Sequence, residues 1–198
     1  MEQRREEYFA EKALEGAVND LEETFLDAKN GLVEAGSSVE PLTTFRNSAV
    51  ETVLKKLSCV FDNPSTLATD RMKELQNRAK ALEQDIIKFV DEVDAKLNDA
   101  RDQNELVLNV EKELAGVSEQ WEALATKYES PKDLETAMED VNQLDVLGNK
   151  LSLLPVNTIK DGSKQKKLAK ERDNLCSQLE VLCLHRQVFL TFFFFFVH

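Results

Sequence analysis

The sequence predicts an all-α fold: two tandem three-helix bundles joined by a continuous helix. Three observations carry this. An apolar stripe occurs twice, 96 positions apart, as Leu14, Val18, Leu21, Phe25, Ala28, Leu32 and as Val110, Leu114, Val117, Trp121, Leu124, Tyr128. Both copies step by four and three in turn, which gathers the side chains on one side of a helix, and both carry an aromatic at the same place. The composition is that of long, water-facing helices, with only six Gly and four Pro in 198 residues and 31% charged side chains. Residues 97–113 contain neither Gly nor Pro, so nothing stops a helix crossing the middle of the chain.

Six helical stretches follow in order. The first runs from about Glu2 to Ala35 and stops at Gly36-Ser37-Ser38, where glycine can take the left-handed conformation that closes a helix. The second starts near Pro41 and ends near Phe61, with Leu42, Phe45, Ala49, Val53 and Leu57 facing inward; its pattern is the weakest of the six. Asn63-Pro64-Ser65-Thr66 supplies caps for a third, whose seam is Leu75, Ala79, Leu82, Ile86, Phe89 and Val93. The register continues through Lys96, Ala100, Gln103 and Val107 into the fourth. Two polar positions there thin the stripe, as suits a helix leaving one bundle for another. The combined helix is expected over Thr66 to Tyr128.

Ser130-Pro131-Lys132-Asp133 has the form of a capped start for the fifth stretch, with Leu134, Ala137, Val141, Leu144, Gly148 and Leu151 on its seam. Pro155 and Asp161-Gly162-Ser163 mark a loop, and the sixth carries Leu168, Leu175, Leu179 and Leu182. An amphipathic helix of this length cannot bury its seam alone, whereas three folded up-down-up can. One bundle is therefore expected over residues 1–98 and another over 99–190, with a Phe-rich tail at 191–198. The expected core includes Phe25, Leu82, Ile86, Phe89, Trp121, Leu124, Leu175 and Leu179.

The formal net charge of −12 opposes phosphate backbones and broad docking on anionic lipid. Three cysteines at 59, 176 and 183, with no CxxC, suggest neither a disulfide framework nor a zinc site and fit a reducing compartment. No phosphate-binding loop, HExxH or GxSxG motif is present. Acidic pairs such as Asp91-Glu92 and Glu139-Asp140 read as solvated helix faces. No catalytic residue, cofactor or metal is expected, and no enzyme.

At this point the chain resembles the spectrin-repeat family. The repeat length, the helix continuing through about Leu97–Val107, and the segment Val117-Ser-Glu-Gln-Trp121-Glu-Ala-Leu124 carry the resemblance over residues 5–190. It implies that Trp121 lies inside a bundle. Phe25 at the matching place, and the short second helix, depart from the family pattern. The acidic, sparsely punctuated style is most like the repeats of giant cytoskeletal linkers of the nesprin, spectraplakin and dystrophin type. The resemblance implies a structural spacer in an intracellular linker between the actin cytoskeleton and a membrane or the nuclear envelope. Its partners would then be proteins, and not nucleic acid.

Two features stand apart from that reading. Lys160, Lys164, Lys166, Lys167, Lys170 and Arg172 form a local charge reversal, read either as a solvated face or as a docking patch for an acidic partner such as an actin filament or a phosphoinositide headgroup. The run Val188-Phe-Leu-Thr-Phe-Phe-Phe-Phe-Phe-Val-His198 is too short to cross a bilayer. It reads as a membrane anchor cut short, a docking tail, or translated intron sequence in a chain that continues; the last is the expectation taken here. The alternatives to a spacer are a membrane-associated helical protein held by this tail, and a coiled coil that self-associates.

Overall fold

The computed structural model describes residues 2–62, 69–126 and 134–196, and every regular element among them is helical. Helix α1 spans Glu2–Ala35. It buries Val18, Leu21, Phe25, Ala28 and Leu32, with Leu14 half-buried, so the first stripe faces a core. Gly36 follows with φ of 67°, the left-handed conformation that side chains disfavour, and it ends the helix as the sequence predicts.

The return stretch holds a feature that the sequence pattern did not disclose. It consists of α2 (Val39–Phe45), a π-helical turn (Arg46–Val50) and α3 (Glu51–Phe61). Phe45 and Val50 are both buried although they are five residues apart. In a regular α-helix that separation would swing them roughly 140° apart. The wider π turn absorbs the extra residue and returns Val50 and Val53 to the core. The inserted position is why the heptad pattern looks weak here.

Helix α4 runs unbroken over Asp70–Thr126. Thr69 caps it, its Oγ1 accepting the Met72 N–H at 3.2 Å and donating to Glu11 of α1. The caps expected at residues 63–66, and Tyr128, lie outside the described residues. The α4 seam buries Leu75, Ala79, Ile86, Phe89 and Val93, while Leu82 is only half-buried. Lys96 does not continue the seam as expected. It is exposed and pairs with Glu92 at 2.9 Å, and Leu97 takes its place. The stripe therefore thins less than the sequence suggested, to Gln103.

The chain divides into two compact units, Met1–Asp102 and Gln103–His198, a few residues beyond the boundary expected at 98/99. In the first, Phe25, Phe45 and Phe89 come from α1, α2 and α4. Their rings stack edge to face, with centroids 5.4 Å (Phe25–Phe89) and 6.4 Å (Phe45–Phe89) apart. Phe45 also presses on Gly31, where a Cβ would come within 3.2 Å of its ring. Arg71 pairs with Glu15 and Arg78 with Glu22, so seven residues of α1 match seven of α4 and the two run parallel. Phe45 beside Gly31 and Lys56 beside Asp20 make the middle helix antiparallel to α1. These ion pairs are exposed and add little individually; the aromatic and aliphatic seams hold the bundle.

In the second unit, α4 buries Val107, Val110, Leu114, Val117 and Leu124 against α5 (Leu134–Leu153) and α6 (Gly162–Phe196). A short 3₁₀ turn, Val156–Thr158, joins α5 to α6, and Val156 and Ile159 are buried there. The Gln103 side-chain oxygen accepts the Lys160 backbone N–H at 2.9 Å, so the polar seam position fastens this turn. The seam of α5 is Ala137, Leu144, Leu147 and Leu151. Leu147 replaces the expected Gly148, beside which there is open space. The expected cap at residues 130–133 lies outside the described residues. Asp161 caps α6, accepting the N–H groups of Ser163 (2.9 Å) and Lys164 (3.1 Å), so Gly162 and Ser163 belong to the helix rather than to a loop. Leu168, Leu175 and Leu179 of α6 enter the core. The helix continues to Phe196, so the first residues of the Phe-rich run are helical.

The stability expectation is direct. Ile86→Ala should cost about 2–5 kcal/mol, whereas Val33→Ala on the exposed side of α1 should change stability by less than about 0.5 kcal/mol. Urea denaturation of the two variants checks this, and similar losses at both positions would contradict the core assignment.

Candidate docking surface and a buried ion pair

Local backbone chemistry positions the basic cluster. Lys160 lies in the turn before α6, and Lys164 sits in its first turn beside the capping Asp161. Cations at a helix N-terminus oppose its dipole, and the Asp161 carboxylate offsets that cost. Lys166, Lys167 and Lys170 are exposed on the helix side away from the core. Arg172 departs from the group. It is half-buried on the core side, and its guanidinium pairs with Asp173 at 2.8 Å. The six cationic residues thus form one outward group of three, with Lys160 and Lys164 at the helix start and Arg172 on the core side.

Asp140, which the sequence reading placed on a solvated helix face, is instead buried in an ion pair with Arg186. Arg186 of α6 is 1% exposed and its Nη2 lies 2.7 Å from Asp140 Oδ2 of α5. Asp140 is a seam residue, three after Ala137 and four before Leu144, and not part of a solvated face. Arg186 extends the α6 seam four residues beyond Leu182. The signal was present in the spacing, but a charged pair at seam positions reads as surface until its partner is seen. Two charges removed from water need each other. The pair therefore fixes how α5 and α6 slide along one another.

Trp121 is half-buried rather than enclosed, unlike Phe25 at the matching place. Its ring borders a groove of about 290 Å³ with Ser177, Gln178, Val181 and Leu182 of α6. Its indole Nε1 is buried, and no described group accepts a hydrogen bond from it. A wider groove of about 460 Å³ lies between α4 and α5, and Glu139 is its one ionisable lining residue among the described residues. No group of described His, Cys, Asp and Glu residues could hold a metal ion, and no described helix is long and apolar enough to cross a membrane. Burial pushes the Cys176 and Cys183 thiols above the ordinary cysteine pKa, the nearby Arg172 only partly opposing this at Cys176. Cys59 is exposed.

Three mutually covering apolar seams, two open grooves and an inter-helix ion pair define a helical structural module. Residues 102–185 match the family model described as "Nuclear anchorage protein 1, spectrin repeat". This segment, under half of the chain, spans the second unit's core and is similar to a spectrin repeat, a structural helical module. No curated protein and no solved structure matched.

Two measurements follow from this chemistry. Asp140→Ala should destabilise the second unit by about 3–5 kcal/mol, and the double change Asp140→Leu/Arg186→Met should bring it back to near the parent value. Denaturant midpoints read both, and a negligible effect of the single change would contradict a buried pair. In native protein at pH 8, Cys59 should react with a thiol reagent well before Cys176 and Cys183. A raised pKa leaves fewer of those two as thiolate, and equal rates for all three would contradict the assignment.

Proposed function

We propose that the chain is a spacer segment of an intracellular cytoskeletal linker, with its first unit a second, diverged spectrin-like repeat. The observation that carries this reading is α4, one helix of 57 residues that supplies a seam to each core. A helix shared in this way passes load and orientation from one repeat to the next, because bending it breaks backbone hydrogen bonds. The parallel placement of Phe25 and Trp121 in the two stripes supports common construction. The words "nuclear anchorage" in the family description support a role in anchorage at the nucleus, and the cytoplasmic side of the nuclear envelope is a finer proposal. A link to actin filaments is another, and Lys166, Lys167 and Lys170 are the residues best placed for an acidic filament surface.

The membrane-held alternative rests on the apolar end of α6. The excess of acidic groups weighs against it, since anionic lipid would repel most of the surface.

Arg101→Pro tests the spacer mechanism. Proline inside α4 removes a backbone hydrogen bond and costs about 3 kcal/mol or more. The parent should unfold in one transition, and the variant in two, as each core melts alone. Two transitions in the parent would show that α4 does not couple the units. Co-sedimentation with actin filaments tests the finer proposal; binding should fall when Lys166, Lys167 and Lys170 are changed to Glu, and no binding by the parent would remove actin from the reading.

A further inference from the structure

The buried places of α5 among the described residues are Ala137, Asp140, Leu144, Leu147 and Leu151. The first two hold a methyl group and a charge, where leucine would bury far more apolar surface. The Asp140–Arg186 pair fixes alignment, but its attraction is largely offset by the water that both charges give up. Met138, Val146 and Leu153 are each more than half exposed, so much of the apolar surface of α5 stays in water while the helix is docked. Gly148 weakens the helix from within, and open space lies beside it. The groove of about 460 Å³ between α4 and α5 runs along Gln120, Ala123 and Leu124 on one side and Glu139, Asn142 and Val146 on the other. The return stretch of the first unit is held differently: Phe45 sits against Gly31, Arg46 bonds Asp94 of α4 at 2.7 Å, and Lys56 bonds Asp20 of α1 at 2.7 Å.

We propose that α5 is a strap that opens from the second unit as one body, hinging at the 3₁₀ turn Val156–Thr158, while α4 and α6 stay helical. The hinge end is fixed. Val156 and Ile159 are buried, and Gln103 of α4 accepts the Lys160 backbone N–H at 2.9 Å. What remains is also held without α5: α4 is anchored by the first core, and Leu114, Val117, Leu168 and Leu175 of α4 and α6 belong to one apolar cluster. The ion pair makes the opening concerted. Partial fraying past Asp140 would leave Arg186 in the bundle without its carboxylate, whereas full opening returns both charges to water. Opening bares the α4 wall of the groove and leaves α4 unbroken, so this unit can yield locally without interrupting its longest helix. The proposal goes beyond the spacer reading and stands without it, because α5 packs within the second unit.

Native-state hydrogen exchange of the full chain tests this. The amides of residues 140–151 should share one level of protection, at least about tenfold below that of residues 110–124 in α4 and 168–179 in α6. Low urea should speed their exchange less steeply than it promotes global unfolding, because a strap exposes less surface than a whole unit. Gly148→Ala should slow exchange across α5 about fivefold, and Asp140→Ala should speed it more than about a hundredfold. If Asp140→Ala unfolds the unit outright, Gly148→Ala still decides, since open space beside that position admits the methyl group. Protection in α5 equal to that in α4 and α6 overturns the proposal. So does protection that declines smoothly toward one end of α5, which is fraying, or α5 exchange that Gly148→Ala leaves unchanged.

Discussion

The structure depends on one constraint: the apolar seam of α4 must be covered along its length, and two different sets of helices cover it. α1, α2 and α3 cover Ala79 to Ala100, while α5 and α6 cover Val107 to Leu124. Each of those helices is amphipathic and unstable alone in water, and each has a stripe that only this arrangement removes from solvent. Burying a side chain of Leu size contributes roughly 1.5–3 kcal/mol, so the seams outweigh the surface ion pairs that accompany them. The pairs Glu15–Arg71 and Glu22–Arg78 report the alignment of α1 on α4 more than they create it.

The two units solve the same problem with different means of fixing register. The first uses shape: three phenylalanines interlock, Gly31 admits Phe45, and a π turn rephases the middle helix. The second uses polarity. Asp140 and Arg186 pair inside the seam, and Gln103 ties the α5–α6 turn to α4. A buried charge pair tolerates little sliding, because a shift of one turn would strand both charges away from water. Specificity of alignment, rather than added stability, is what such a pair contributes.

The long seams of α1 and α4 were legible because an uninterrupted alternation of three and four residues has one physical meaning. Legibility failed where that alternation is broken by something the pattern cannot display. The π turn between Phe45 and Val50 inserts a residue, so the second helix looked faint. Near residue 96 and near residue 148, two neighbouring positions competed for one seam place. Burial selected Leu97 over Lys96 and Leu147 over Gly148. Asp140 was assigned to solvent because a carboxylate is usually there, and its partner is 46 residues away on another helix. The basic cluster was visible as composition. That Lys166, Lys167 and Lys170 lie on the side of α6 away from its core needed the helix phase and the burial.

Hydrogen exchange through the middle of α4 tests the central claim most directly. An unbroken helix serving both cores predicts that the amides of residues 98–106 exchange slowly, as part of the cooperative structure on either side. Exchange of that segment at the rate of an open loop, with protection confined to the two cores, would contradict a continuous helix and the coupling that depends on it.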